Sequence, residues 1–489
     1  MFFFIIVCCV IFSLCVFALI FILSLHLDME IKDNHDLYIR LRNRYPIFSF
    51  DGFSYKLKEK DLIINFAFSV GNDICFSPTV RIKYHKDFAW FYENYSLSVL
   101  EPLFFSIGMI EMLSYWKATC SPRIQLKVGA LSNDAIVFWK KLYYNGLGEF
   151  FYVNNIHASL FDFVDFQADN TNMLQSIDVP LADKTIVPIG GGKDSVVTLE
   201  SLVNHEDIIP MIMNPRGATI DCAKIAGFDG DFLEIDRKID SRLLELNANG
   251  FLNGHTPFSA MLAFYCVLLS ILSGRKNIAL SNENSANEAT VLGANINHQY
   301  SKSFEFEEDF RNYVSTYLHT DVNYYSFLRP ITELQIAYLF SKQHAYFHVF
   351  KSCNVGSKTN QWCANCAKCL FSFIILSPFI DKDILATIYG NNLFENEALL
   401  PYLQELCGLT QVKPFECVGT VEEVCVALTE TIKHYDTLPP LLQYFTQTSL
   451  YQEYKNVNFA LYLQQWHKEH NLSISNANHL KQILNIKHQ

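Results

Sequence analysis

With 489 residues, 50% of them hydrophobic and only 18% charged, the chain is long enough for about three domains and richer in apolar side chains than an ordinary soluble protein. Thirty-eight Lys and Arg against 50 Asp and Glu give a net charge of −12, with no basic run long enough to follow a phosphate backbone, which argues against nucleic acid as a partner. The 14 cysteines are too sparse for a disulfide scaffold, and Cys222, Cys266, Cys407, Cys417 and Cys425 stand singly in ordinary apolar segments, as in a reducing compartment.

Much of the apolar excess lies at the start, where residues 2–25 include only two polar side chains, Ser13 and Ser24. As a helix this run would measure ~36 Å, enough for the ~30 Å hydrocarbon core of a bilayer. No Lys or Arg precedes it and no small-residue cleavage site follows, so cleavage and export are disfavoured. Two readings of residues 1–28 stand. One is a membrane tether through residues 2–25, with Arg40, Arg42 and Arg44 keeping the rest of the chain on the cytoplasmic side; the other is a wrongly assigned start, with translation beginning at Met29.

Residues 29–180 read as an N-terminal α+β domain. Between 45 and 85, apolar and aromatic residues alternate around Asp51-Gly52 and Gly71-Asn72-Asp73, as in short antiparallel strands, and Leu97 to about Gly146 reads as helical. The domain ends at a loop near Ala168 to Asn172. From Lys184 the rhythm changes: Thr185 to Ile189 is a short strand ending in glycines, and Val196, Leu199 and Val203 then mark one face of a helix. Met211 to Met213, Phe232 to Ile235 and Ile278 to Leu280 are further strands, the last preceded by a helix over Pro257 to Ser273. Strands alternating with helices over 181–382 predict a mostly parallel sheet covered on both faces. Residues 383–489 read as a helical C-terminal region, interrupted by Phe415 to Thr420.

Ligands of open α/β sheets sit beyond the carboxyl ends of the strands. After the first strand comes Gly190-Gly191-Gly192-Lys193-Asp194-Ser195, opening a helix. Its glycines let backbone N–H groups approach an anion, the helix start favours negative charge and Lys193 adds a cation, so the turn reads as a phosphate cradle. After the second strand stand Asn214 and Arg216, after the third Asp236 and Arg237, and after the fourth Ser281-Asn282-Glu283-Asn284. The Walker loop is excluded, since Val187 and Asp194 occupy its first-glycine and Ser/Thr positions; the dinucleotide fingerprint fails at Ser195. Cys353, Cys363, Cys366 and Cys369 form C-x9-C-x2-C-x2-C, a set of soft ligands suited to a structural tetrahedral zinc; an iron–sulfur cluster and plain packed thiols remain as alternatives. Asn297 to Ser303, with His298, Tyr300 and Lys302, is dense in groups able to move protons, and His255 stands at a helix start.

The loop Gly190 to Ser195 resembles the pyrophosphate-binding loop of the N-type ATP pyrophosphatases, departing at Gly190, where serine is commoner, and the cysteine set resembles that of 7-cyano-7-deazaguanine synthase. Taken with Asn253 to Pro257, Ser281 to Glu288, Asn297 to Ser303, Arg329-Pro330 and Lys413 to Thr420, the sequence from about 45 to 435 is similar to the UDP-N-acetylmuramoyl-L-alanyl-L-glutamate epimerase family. The resemblance implies an adenine nucleotide alpha-hydrolase-like, pyrophosphate-loop α/β domain between the N-terminal α+β domain and the helical C-terminal region. It implies a cytoplasmic isomerase of peptidoglycan synthesis that inverts the terminal L-glutamate of a UDP-linked muramoyl dipeptide, consuming ATP with Mg²⁺ and giving AMP and diphosphate. Gly190, Gly191, Gly192, Lys193, Asp194, Ser195, Arg216 and Asp236 would then serve the nucleotide, with Lys193 and Arg216 or Arg237 offsetting phosphate charge. His298, Tyr300, Lys302 and His255 would move protons or bind UDP phosphates, and the four cysteines would hold zinc. An amidating ATP-pyrophosphatase ligase and a non-catalytic, membrane-tethered nucleotide-binding module are the rival expectations.

Overall fold

A computed structural model describes residues 32–169, 176–291, 293 and 296–486. The apolar run 2–25 and most of the expected loop after Ala168 lie outside the described residues.

One eleven-stranded mixed sheet runs through the molecule. β1 (Ile47–Lys58) and β2 (Asp61–Val70) form the long antiparallel pair expected from the alternation, and β2 also takes β3 (Ile74–Phe76) and β4 (Thr79–Ile82) antiparallel. On its other edge β1 pairs in parallel with β5 (Arg123–Leu126), which pairs with β6 (Asp165–Ala168). β7 (Ala182–Pro188), β8 (Ile208–Met213), β9 (Leu233–Lys238), β10 (Arg275–Leu280) and β11 (Asn323–Ser326) form the predicted parallel part. The order is β11-β10-β7-β8-β9-β4-β2-β1-β5-β6, with β3 off this path beside β2, and β4 joins β9 antiparallel. The expected boundary at residue 180 is therefore no break in the sheet. β5 lies within the stretch expected to be helical, and β11 is an addition to the four strands read from the sequence; each has only four residues, too short for a periodic signal.

Two cores lie on opposite faces of the parallel strands. Ile186, Ile209, Ile235 and Ile278 face the helices Phe258–Ser273 and Glu101–Trp116, whereas Val187, Ile208, Ile212 and Ala279 face Lys193–Leu202, Glu333–Ser341 and the C-terminal helices. Alternation of this kind is what a sheet buried on both sides requires. Among the described residues, one helical stretch, Leu97–Trp116, is long and apolar enough to cross a bilayer; 78% of its most apolar window is buried inside the protein, as in a core helix.

β8 and β10 flank β7 on opposite sides, so the chain turns one way after β7 and the other way after β10. The crevice this opens beyond Pro188 and Leu280 is where ligands of open α/β sheets bind.

Candidate active site

The glycine turn follows β7 directly. Gly191 has φ +80°, and a side chain there would meet the backbone and Cβ of Ala218 at 2.9 Å, so glycine is required for the turn to pack on the start of the helix Gly217–Ile225. A Cβ on Gly190 would meet nothing within 4 Å, leaving that position open towards the crevice. The helix Lys193–Leu202 begins at Gly192 without a side-chain cap, and Ser195 Oγ turns back to donate to the Gly192 carbonyl at 2.9 Å. Its first N–H groups therefore carry the partial positive charge of a helix start, suited to an anion.

Lys193 is buried beneath this turn and donates to both Asp194 and Glu333. Burial works against its ammonium, but the two carboxylates more than reverse that and hold it charged. Glu333 is pushed up to about 8: its burial, with Asp194, Glu283 and Glu423 close by, outweighs the pull of Lys193. Asp194 thus carries the charge that balances Lys193, while Glu333 holds a proton in an acid-rich pocket.

The loop after β10 supplies the second half of the site. Asn297 Nδ2 donates to the Ala286 carbonyl at 2.8 Å, and Thr290 Oγ1 accepts from the backbone N–H of His298 at 3.0 Å, fixing the loop before His298 and Lys302. The segment 412–420 docks on it from the C-terminal region. Lys413 N donates to the Thr290 carbonyl at 2.9 Å, and Lys413 Nζ pairs with Glu288 and donates to the Gly419 carbonyl at 2.9 Å. Gln299 Nε2 reaches the Val418 carbonyl at 3.1 Å. Gly419 closes the contact, since a Cβ there would lie 2.9 Å from Glu423 Oε2 and 3.2 Å from Glu333 Cγ.

This docking brings Cys417 beside Lys302, whose Nζ donates to Sγ at 3.0 Å. His298 bonds the same sulfur and, through Nδ1, Glu149 at 2.6 Å; His255 Nδ1 lies 3.3 Å from the same carboxylate oxygen, with the two imidazole rings 4.6 Å apart. Burial opposes charge on all these groups, and the pairing decides the outcome. Lys302 is held above its ordinary value by Cys417 and Glu283, His298 is raised to about 9 by Cys417 and Glu149, and Cys417 is lowered to about 5 by Lys302 and His298. His255, beside a charged His298, falls to about 4 through burial and repulsion. Lys117, lowered to about 8 by burial, anchors the His255 segment by donating to the Gly254 carbonyl and, at 2.7 Å, to Thr256 Oγ1.

Three expected residues are held elsewhere. Asp236 and Arg237 do not end a strand, because β4 pairs with β9 as far as Lys238 and draws them into the ladder. Asp236 lies opposite Arg81 with Lys83 at 3.9 Å, and the Arg237 guanidinium makes a two-pronged bond to buried Glu111 at 2.6 and 2.8 Å. Tyr300 is buried against Phe306 and lines a cavity of about 370 Å³ with Asn145, Asn287 and Ser303, and the Cys417 thiol is not among its partners. Arg216 is exposed just beyond β8, and no ion pair holds it among the described residues. Sequence reasoning missed Cys417, Glu149 and Glu333; for Cys417 the signal was the break at Phe415 to Thr420 in an otherwise helical region.

The four cysteines of the cluster converge. Cys353 and Cys366 sulfurs lie 4.0 Å apart, Cys363 and Cys369 sulfurs 3.7 Å, and all four fall within 4.8 Å of one another. A tetrahedron with Zn–S bonds of ~2.3 Å has S···S edges of ~3.8 Å, so the set fits four-thiolate coordination. Backbone N–H groups of Gly356 and Cys369 donate to Cys353 and Cys366 sulfurs at 3.2 and 3.5 Å. The knuckle backs onto the glycine turn, where Lys351 N donates to the Gly191 carbonyl at 2.8 Å and Ser352 packs on Gly192.

Residues 40–327 match the family model described as the MurL N-terminal domain, and residues 349–449 the MurL C-terminal domain. Curated relatives named UDP-N-acetyl-alpha-D-muramoyl-L-alanyl-L-glutamate epimerase include one from Xanthomonas oryzae pv. oryzae, 33% identical over 66% of this chain and 72% of that protein. Another, from Salinispora tropica, is 34% identical over 66% of this chain and 71% of its own length. No solved structure gives a significant match. With both MurL domain models matched and a third of the aligned residues identical over about 70% of such relatives, the chain belongs to the MurL family.

Proposed function

We propose that the protein is an ATP-dependent epimerase that inverts the terminal L-glutamate of UDP-N-acetylmuramoyl-L-alanyl-L-glutamate after adenylating its carboxyl, releasing AMP and diphosphate in peptidoglycan precursor synthesis. The observation that carries the reading is the pairing, at one switch point, of an uncapped glycine-rich helix start with a cluster of proton-transfer groups on the neighbouring loop. The relatives' names supply the substrate.

A glutamate carboxylate makes its Cα proton very hard to remove, whereas an acyl anhydride withdraws charge and lets the proton leave. In the proposed pyrophosphate-loop fold, Gly190 to Gly192, Asp194, Ser195 and exposed Arg216 would bind ATP phosphates with Mg²⁺, and Lys193 would steady the turn from beneath. The four cysteines would hold a structural Zn²⁺ that braces the turn from behind. ATP and nucleotide-linked wall precursors are cytoplasmic, which is where the activity is placed. The test is incubation with the muramoyl dipeptide and Mg-ATP in deuterated water. Deuterium at the glutamate Cα together with AMP supports the reading, whereas nitrogen from added ammonia in the product would replace it with an amidating ligase.

A further inference from the structure

Cys417 sits half-buried in the crevice with two hydrogen-bond donors aimed at its sulfur, Lys302 Nζ at 3.0 Å and the His298 imidazole. The sulfur is fixed from both sides of the chain. Gln299 Nε2 holds the Val418 carbonyl at 3.1 Å, and the Phe415 ring packs tilted against Tyr152 with centroids 5.6 Å apart. Glu149, also from the N-terminal part of the chain, orients His298 at 2.6 Å. Three separate stretches of chain thus build the surroundings of one thiol.

We propose that Cys417 is a catalytic residue, the base that removes the glutamyl Cα proton once the carboxyl has been activated. The assignment rests on the epimerase reading above and follows from asking which group in the cluster has a free lone pair at neutral pH. The Lys302 ammonium, kept protonated by Cys417 and Glu283, has none. His298, raised to about 9, is an imidazolium. His255 is neutral with its Nδ1 towards the shared Glu149 carboxylate, but burial and the charged His298 hold it at about 4, so its Nε2 lone pair is a weaker base than the thiolate. The thiol itself is lowered to about 5: Lys302, His298 and Lys368 overcome its burial, with Glu416 the acidic group next to it. It is therefore a thiolate. In the step, the Cα–H bond breaks, its electron pair moves onto the acyl oxygen as an enolate, and the proton forms an S–H bond. A water then delivers a proton to the opposite face of the carbon, the enolate pair re-forms the C–H bond, the hydroxide left behind takes the proton from the thiol, and a second water hydrolyses the acyl adenylate to the free carboxylate and AMP.

The test compares wild type with Cys417→Ala, each given the muramoyl dipeptide and Mg-ATP in deuterated water. Diphosphate release, deuterium at Cα and D-glutamate content are read separately, with melting temperature as the check on folding. The expected result is a first-turnover burst of diphosphate within threefold of wild type and Cα exchange reduced at least a hundredfold. Exchange within threefold of wild type, or parallel loss of diphosphate release in a folded variant, would overturn the assignment. If the variant does not fold, wild type alkylated by iodoacetamide at pH 6 replaces it. Cys417 should react at least tenfold faster than free cysteine at that pH, and the adduct should show the same split; a rate no faster than free cysteine overturns the assignment. Failure of wild type to release diphosphate at all would instead refute the epimerase reading, a result the Cys417 comparison does not mimic.

Discussion

Read from the sequence, Arg237 follows a strand of the parallel sheet, where a phosphate ligand would sit, yet it lies within β9 and its guanidinium is committed to Glu111. The perturbation that separates the two roles is Glu111→Leu, alone and combined with Arg237→Met. Glu111 is fully buried in the helix Glu101–Trp116; it receives both prongs of Arg237 and the Tyr265 hydroxyl at 2.7 Å, and Arg237 is about one-tenth exposed. Removing the carboxylate alone strands a buried cation and a buried hydroxyl, which costs about 3–5 kcal/mol. At ~2 °C per kcal/mol, the lower end of the range for large domains, that is a fall on the order of 6–10 °C in melting temperature. Replacing both residues with apolar side chains removes the stranded charge, and the double variant should recover most of the loss. The assay is thermal unfolding of both variants alongside diphosphate release with the dipeptide and ATP. A double variant that melts near wild type but releases diphosphate at least a hundredfold more slowly would show that Arg237 meets the nucleotide and refute the structural assignment.

Asp194→Asn should abolish diphosphate release with little change in melting, because the carboxylate is partly exposed at the crevice and Glu333, freed of its repulsion, can ionise to balance Lys193; wild-type turnover would count against the adenylation reading. Cys369→Ser should lower bound zinc from about one per chain towards none by elemental analysis and reduce melting temperature, since metal binding at such sites couples to folding. Unchanged metal content would leave Cys369 outside the ligand set. The pH dependence of stability should differ between wild type and Cys417→Ala in one window. A thiol lowered to about 5 contributes stability that is complete above its ordinary value near 9 and is lost as pH falls through 5. His298, raised to about 9, contributes stability that is complete below about 6.5 and is lost as pH rises through 9, so above 6.5 the two slopes oppose. Between pH 5 and 6.5 the thiol acts without His298, the His255 contribution being common to both proteins, and wild type should gain on the variant as pH rises; a constant difference across that window would contradict a thiolate.

What could be read from the sequence was local. The glycine turn declared itself because strand, glycines and apolar helix stripe are contiguous, and the cysteine set because three of its four members lie within seven residues. Asp236 and Arg237 misled for a non-local reason: the end of β9 is set by β4, some 155 residues earlier in the chain, and no pattern within β9 reports that partner. Cys417 has the same origin. Its neighbours Lys302, His298 and Glu149 come from segments 115 to 268 residues away, joined only when the 412–420 segment docks through Lys413, Val418 and Gly419. Tyr300 lies two residues from both His298 and Lys302, but the short helical turn Tyr300–Lys302 carries its ring to Phe306, so sequence proximity alone does not place it with them.

The charge balance of the crevice bears on how a nucleotide would be held. Lys193 is already matched by Asp194, Lys413 by Glu288, and Lys302 and His298 by Cys417 and Glu149. Glu283 and Glu423 add further carboxylates nearby, and Glu333 is driven to keep a proton by its burial together with these acids and Asp194, against the pull of Lys193. A polyphosphate entering this pocket meets few uncommitted cations, so in the proposed mechanism its charge has to be met by backbone N–H groups at the uncapped helix start, by exposed Arg216 and by the Mg²⁺ that arrives with it. The same accounting explains how two chemistries can share one crevice: each cation on the β10 loop has its own anion, so the proton-transfer cluster stays charged and ordered without drawing on the groups that would face the phosphates.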